Sequence, residues 1–489
     1  MHNPGLSVRH KSLMKINTDS KLKDFLVILF VTSAIFMMIA CGLAVIVGEC
    51  DLLLFVQIFV YPLLVLAGVL FFRLTINIKS DGRFLWQAVL VALVIRVASV
   101  LVLYYLLMEL QGHPFLEGYK DEFSYHTISS YFAQDPQAPL SDVQLFGLSD
   151  SYGLYPYVVG FIYRLFGADT LVARFFNAAI GAICVVPFYL FIRNLGMKQE
   201  TARLAAAFYI FSANVILFNS VQLKDSLLLL LCFFLAYLGS LLMKSPDIFK
   251  VFLITMAYFC CSLLFFYMRA QFFFLFFAYF LIFAYMGFFY KTSLNFSRTL
   301  AFALIIAVIG FVVYTAYSQI FSSMGRLSGD NIEHQFLRYE KWQVSGLLGP
   351  LVPVITAMTG FFLPLPTFIK LSNPDPGFIY SVDIIKIPTY IEIFFTSVIA
   401  LSVLPALLKA KNRGVSVLFF LAFIFYISLV VTGLVPYPRH KLFFIELCLI
   451  VMAYGIIEAE IQWKRVFLVC IAGTLFVFIY NLVRLLARG

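Results

Sequence analysis

Residues 86–109 read WQAVLVALVIRVASVLVLYYLLME. Only Arg96 and Glu109 in this run are charged, and a helix needs about 20 apolar residues to cross a hydrocarbon layer roughly 30 Å thick. The run therefore predicts a membrane-crossing helix. Working outward in both directions, comparable runs fall near 25–47, 52–73, 171–192, 204–221, 226–243, 251–268, 271–290, 299–320, 391–409, 415–434, 441–457 and 466–485, thirteen predicted spans in all. The expected fold is an all-α polytopic membrane protein.

Composition leads to the same class. The 489 residues are 62% apolar and 12% charged, with a mean hydropathy of +0.96, whereas a water-soluble surface needs about twice that charged fraction. The 57 Phe and 27 Tyr suit lipid-facing and interfacial positions. The net charge of +10 is spread over short loops instead of forming one patch, so it reads as an orientation signal, and no nucleic-acid partner is expected. The eight cysteines, Cys41, Cys50, Cys184, Cys232, Cys260, Cys261, Cys448 and Cys470, lie in or beside apolar runs without metal-ligand spacing. They read as small buried hydrophobes.

Arg9, Lys11, Lys15, Lys21 and Lys23 precede the run at 25–47, which is too long for a cleaved signal sequence and predicts a retained first helix. With that basic terminus in the cytoplasm, alternation places 73–83, 193–203, 244–250, 291–298, 409–413 and the pair Lys464 and Arg465 inside, all bearing Lys or Arg. The terminal Arg484 and Arg488 fall outside, against the rule. Segment 346–369 is apolar but interrupted by Pro350, Pro353, Pro364 and Pro366. Counting it as a crossing would turn 409–413 outward, so it reads as re-entrant or interfacial.

The chain then divides into a cytoplasmic tail with two helices (1–85), a transmembrane core with an outer loop at 110–170 (86–320), a second outer region (321–390) and C-terminal helices (391–489). Within the first outer loop the short apolar run 155–166 predicts an interfacial amphipathic helix.

Polar residues that orientation does not explain gather on the outer face: Asp121, Glu122, Tyr125, His126, Arg174, Lys224, Asp225, Arg269, Arg326, Arg338, Asp383, Arg439, His440 and Lys441. Outer basic residues work against the orientation signal and need a local reason, such as an anionic ligand. Asp121 and Glu122 offer a general base, a divalent-metal site, or a solvated loop with a capping role. Asp225 reads as an N-cap of the following helix, leaving Lys224 unexplained. Arg269 either snorkels to headgroups or binds an anion, and Arg439, His440 and Lys441 form a cationic knot at a helix start. Arg96 and Glu446 lie inside spans, where charges usually face a cavity or a partner; the sequence does not pair them, and Arg96 has snorkelling as its alternative.

Several of these motifs, in this order and on this side, resemble a known superfamily. They are Asp121-Glu122 with Tyr125, Tyr155-Pro156, Tyr163-Arg164-Leu165-Phe166-Gly167, Arg174-Phe175-Phe176-Asn177-Ala178-Ala179-Ile180-Gly181, Lys224-Asp225-Ser226 and Pro438-Arg439-His440-Lys441. The pattern, clearest over 86–270, resembles the lipid-phosphosugar-dependent GT-C glycosyltransferases, especially bacterial relatives of protein O-mannosyltransferases and of the lipid A aminoarabinose transferase (glycosyltransferase family 39).

The resemblance implies a GT-C core beginning at 86–109, roofed by the first outer loop. Its donor would be a polyprenyl-phosphate sugar and its acceptor a hydroxyl of a glycan, lipid or protein. Asp121, with Glu122 beside it, would activate that hydroxyl for inverting transfer. Lys224, Arg269, Arg439 and Lys441 would hold the departing phosphate, with Tyr125, His126, Asp225, Arg338 and His440 as substrate-binding candidates. The site would face the periplasm from a bacterial inner membrane. No cofactor is implied apart from a divalent Mg or Mn ion, which Glu122 leaves open. Neither a large soluble C-terminal domain nor a MIR-like module is expected, which disfavours protein O-mannosylation. The rival readings are an O-antigen polymerase or ligase and a transporter or flippase of lipid-linked sugars.

Overall fold

Backbone N–H and C=O groups in lipid must satisfy one another, so a chain this apolar is expected to be built of helices. In the computed structural model, the described residues are 19–38, 52–116, 121–146, 153–244, 247–269, 273–288, 378–409, 413–431, 438–459 and 461–486. They are almost entirely helical, and no strand occurs among them. In chain order the helices are α1 (19–38), α2 (Leu52–Thr75), α3 (Asp81–Gln111), α4 (Asp121–Gln134), α5 (Leu154–Phe166), α6 (Thr170–Ile183), α7 (Val185–Asn194) and α8 (Gln199–Ile210). They continue as α9 (Ala213–Asn219), α10 (Asp225–Leu242), α11 (Ile248–Arg269), α12 (Phe273–Phe288), α13 (Phe378–Lys409), α14 (Arg413–Val431), α15 (Leu442–Ile457) and α16 (Trp463–Leu486).

Among the described residues, seven helical stretches are long and apolar enough to cross a membrane: Gln57–Thr75, Asp81–Gln111, Thr170–Asn194, Asp225–Leu242, Ile248–Arg269, Ile385–Leu407 and Arg439–Ile457. The number becomes eight if α8 and α9, which meet at 50°, form one broken span.

The opening run becomes α3, stopped by two local devices. Ser80 caps its start by accepting the Arg83 N–H, and Gly112 ends it in the left-handed conformation (φ 72°), donating its N–H to Met108 O at 2.9 Å. The expected interfacial helix is α5, closely packed on α4: a Cβ on Gly160 would lie 2.7 Å from Phe132 Cβ. Arg164 of α5 donates to the carbonyls of Phe132 and Asp135 at the end of α4.

The structure departs from the sequence reading at two helices. The run 204–221 is interrupted at Phe211 and Ser212, where Ser212 caps α9 by accepting the Val215 N–H at 3.2 Å. α13 begins at Phe378, so 378–390 continues a helix instead of forming outer loop. Pro388 lies inside it, which buried helices tolerate because neighbouring groups satisfy the freed carbonyl. The run at 299–320, the segment 346–369, and Arg326 and Arg338 lie outside the described residues.

Charged clusters lie at both ends of α3, which at about 1.5 Å per residue is roughly 45 Å long, and Arg96 is buried at its middle. At its N-terminal end Asp81 accepts the Tyr189 hydroxyl at 2.8 Å and faces Arg203 at 3.4 Å and Arg193 at 3.8 Å. Arg203 also donates to the carbonyls of Thr75 and Ile76 and lies over the Phe84 ring. Two basic loops expected on one side, 73–83 and 193–203, are thus physically joined. Past the other end, beyond Gly112, Glu122 pairs with Arg174 and Asp121 with Arg439.

Candidate active site

Asp121 and Glu122 occupy the first turn of α4, where the positive helix end favours carboxylates. Consecutive helical side chains diverge by about 100°, and these two go to different environments. Glu122 is fully buried and accepts from Leu116 N at 2.5 Å, Gln222 N at 2.7 Å and Arg174 Nη2 at 3.2 Å. Arg174, equally buried, also donates to Pro114 O. Glu122 thereby fastens the α3–α4 connection to α6 and to the turn ahead of α10. Asp121 remains 42% exposed and receives Arg439 Nη1 at 2.5 Å.

Asn177, one turn beyond Arg174 on the same face of α6, holds that turn from another side. Its Nδ2 donates to Val221 O at 2.7 Å and Leu223 O at 2.8 Å, and Tyr155 OH lies beside it. The sequence carries it inside a motif without assigning it a role; its spacing from Arg174 is the signal that marks it. The turn so pinned presents Lys224. Here the expectation that Asp225 caps α10 is corrected: Lys224 occupies the cap position, without a side-chain cap bond, and Asp225 is the first helical residue. Lys224 Nζ donates to Met268 O at 2.9 Å. Burial, and next the neighbouring Arg269 guanidinium, hold its ammonium well below the ordinary lysine pKa.

Arg269 ends α11 and is buried, which removes the snorkelling account. Its Nη2 lies 2.7 Å from His440 Nδ1. A guanidinium only donates, so the imidazole accepts there and is neutral. His440 belongs to the 3-10 turn Pro438–Lys441 that leads into α15, together with Arg439 and the fully buried Lys441.

Asp225, Arg269, Arg439 and His440 line the polar part of a narrow, half-open cleft whose cavity volume is about 30 Å³. Leu228, Leu229, Cys232, Phe265, Phe425, Leu442 and Phe443 form its apolar walls. Cationic side chains thus lie directly beside apolar ones, the pairing of surfaces that an amphiphilic anion requires.

Of the predicted site residues, the structure brings together Asp121, Asp225, Arg269, Arg439 and His440, with Lys224 close behind them. Glu122 is committed to backbone donors and Arg174. Tyr125 is buried with its ring edge-on to Tyr155 at 5.3 Å. His126 Nδ1 lies 2.8 Å from Tyr163 OH, and burial lowers its pKa while Asp169 partly opposes the shift. Lys441 is buried outside the cleft lining, and Arg338 lies outside the described residues.

Among the described residues the donor set does not fit a divalent metal. Glu122 is turned away from Asp121, and Asp121 faces an arginine. Among the described residues no three His, Cys, Asp or Glu side chains are grouped as metal ligands. Of the eight cysteines, Cys184, Cys232, Cys448 and Cys470 are buried as expected, whereas Cys261 is half-buried and Cys260 exposed; Cys41 and Cys50 lie outside the described residues.

Comparison of the chain with protein-family models, curated proteins and solved structures finds no match in any of the three.

Proposed function

We propose that the protein is a membrane glycosyltransferase of GT-C type that moves a sugar from a polyprenyl-phosphate donor to a hydroxyl acceptor. One observation carries this reading: Asp121 and Arg439 are paired at a cleft with a cationic polar part and apolar walls. The donor phosphate would sit between Arg269 and Arg439, with Lys224 behind them. Its isoprenoid chain would follow Leu228, Leu229, Phe265 and Phe443.

A phosphate on Arg439 competes with Asp121 for the same guanidinium. Donor arrival would thereby release a carboxylate oxygen beside the acceptor. The acceptor hydroxyl would lose its proton to Asp121 while its oxygen forms the new bond to the anomeric carbon. The anomeric carbon–phosphate oxygen bond would break on the opposite face, and the phosphate would leave with the electron pair. The cations would stabilise the charge that develops on it. In this reading thirteen crossings place the cleft at the periplasmic side of a bacterial inner membrane.

The test is transfer of a labelled sugar from a synthetic polyprenyl-phosphate donor by purified protein in liposomes. Asp121→Asn is expected to abolish transfer, and Arg269→Gln and Arg439→Gln to raise the donor KM. Near-normal turnover by Asp121→Asn would refute the general base and favour a polymerase or ligase. Donor crossing the bilayer without transfer would favour a flippase, and a donor phosphate bound at the Asp81 end of α3 would overturn the assignment.

A further inference from the structure

Two carboxylates meet where α8 gives way to α9. Glu392 of α13 accepts at Oε2 from the Asn214 backbone N–H and from Asn214 Nδ2, each at 2.7 Å, and lies 3.1 Å from Ser212 Oγ. Glu446 of α15 reaches the same hydroxyl through Oε1 at 3.2 Å. Ser212, Asn214, Glu392 and Glu446 are all buried, none more than 1% exposed. Glu392 lies at the edge of an apolar run, and Glu446 is the in-span charge that the sequence leaves without a partner.

Counting hydrogens fixes a proton. The Ser212 hydroxyl has one hydrogen, and its oxygen already accepts the Val215 N–H as the α9 cap. One hydrogen makes one full-strength bond, and shared between two carboxylates it would leave both buried charges poorly compensated. The second contact therefore requires a carboxyl group that brings its own. Glu392 Oε2 receives both Asn214 hydrogens and acts as an acceptor, whereas Glu446 Oε2 has no hydrogen-bond partner among the described residues. The extra hydrogen belongs on Glu446.

Counting charge independently calls for one bound proton as well. Arg96 of α3 is fully buried, lies over the Tyr209 ring at 5.3 Å and donates to Ala92 O through Nη1. Its Nε and Nη2 have no hydrogen-bond partner among the described residues, and its charge acts on Glu446. Among the described residues, the other ionisable groups that act on these side chains are Tyr61 of α2, Cys184 between α6 and α7, Tyr209 of α8 and Cys448 of α15. Thiols and phenols are ordinarily neutral at pH 7. Among the described residues one permanent cation, Arg96, faces the two carboxylates; the set reaches neutrality when one carboxylate is protonated, and an uncompensated buried charge is strongly disfavoured.

We propose that Glu446, Ser212 and Glu392 form a proton-binding site inside the membrane, with the proton held on Glu446 and shared through Ser212 to the Glu392 carboxylate. The bridging hydroxyl is the cap at the helix break, so the proton ties α13 and α15 to the bent α8–α9 pair. Glu446 follows Arg439 by seven residues, which puts the site roughly 10 Å along the helix axis from the cationic cleft. The site is independent of the glycosyltransferase reading.

Infrared spectroscopy of the full chain in liposomes tests it through the carbonyl stretch of an un-ionised carboxylic acid at neutral pH. The wild type is expected to show this band, Glu446→Gln to lose it while melting like the wild type, and sodium to leave it unchanged. Ser212→Ala, which keeps the acid and removes its acceptor, is expected to shift the band upward. It carries the test if the glutamine variant fails to fold. A band that survives Glu446→Gln, or is absent from the wild type, overturns the proposal, as does one unmoved in Ser212→Ala. A band erased by sodium assigns the site to a metal cation instead.

Discussion

Replacing Glu122 by glutamine exchanges one oxygen for an NH2 group where Leu116 N, Gln222 N and Arg174 Nη2 converge. An amide keeps one acceptor, so at least one donor would face another donor, at a cost of about 1–3 kcal/mol. The larger effect is on Arg174, which is fully buried with Glu122 as its ion-pair partner. Breaking such a pair by removing one charge costs about 3–5 kcal/mol. The two effects share the same atoms and do not add, so a total near 3–5 kcal/mol is expected. Asp121→Asn removes a pair whose side chains are 42% and 23% exposed, and solvent limits that loss to about 1 kcal/mol. Heating detergent-solubilised protein and scoring the fraction that stays monodisperse measures both variants; parallel sugar-transfer assays separate stability from chemistry. Glu122→Gln should melt several degrees lower than Asp121→Asn, which should melt close to the wild type and be inactive. A Glu122→Gln protein that melts like the wild type and is inactive would place Glu122 at the chemistry and refute its role as a strap.

His126 supplies a pH prediction. Burial holds its pKa below the ordinary value, so between about pH 6.5 and that lower value the unfolded chain binds the extra proton and the folded chain does not. Stability therefore falls as pH drops through this window; melting curves at a series of pH values should show an acid-side slope that His126→Gln flattens, and an unchanged slope would contradict it. Gly181 supplies a packing prediction: a Cβ there would collide with Asn219 Nδ2 and lie 3.0 Å from Arg96 Nε. Gly181→Ala should cost about 1–3 kcal/mol. At Gly82 the nearest atom to a Cβ is Ser80 Oγ at 3.8 Å, so Gly82→Ala should be neutral or stabilise by up to about 1 kcal/mol. Melting of the two variants compares them directly.

Local quantities were the legible ones. The 86–109 run became α3 because hydropathy along one helix depends on that helix alone, and the basic loops at 73–83 and 193–203 met at Asp81 because loop charge is also local. The break at Phe211 and Ser212 was hidden, since a single serine scarcely lowers the hydropathy of a run and its capping bond depends on backbone geometry. Asp121 and Glu122 were inseparable as neighbouring letters of like chemistry. Arg174, Gln222 and Arg439 separate them, and these lie between 52 and 318 positions away. Glu392 was invisible for a similar reason: its partners, Ser212 and Asn214, come from another helix pair.

Lys224 links the cleft to proton uptake. Its ammonium is disfavoured first by burial and next by Arg269, with Arg439 adding to the effect and Asp225 and Asp121 opposing it. An anion bound between Arg269 and Arg439 would offset those like charges and raise the Lys224 pKa toward its ordinary value. Binding would then take up a proton, and affinity would rise as pH falls from the bound toward the free pKa of Lys224. An isoprenyl sulfate is the suitable probe, because its charge does not change over that range. Calorimetric titrations in buffers of different ionisation enthalpy should report net proton uptake, abolished by Lys224→Met. The two histidines nearby are distinguishable from it: His440 is neutral as an acceptor from Arg269, and His126 is engaged with Tyr163. Sulfate binding with no buffer dependence, or uptake that persists in Lys224→Met, would mean that the lysine keeps its proton throughout. The cationic cluster would then be a fixed anion site whose affinity does not respond to pH.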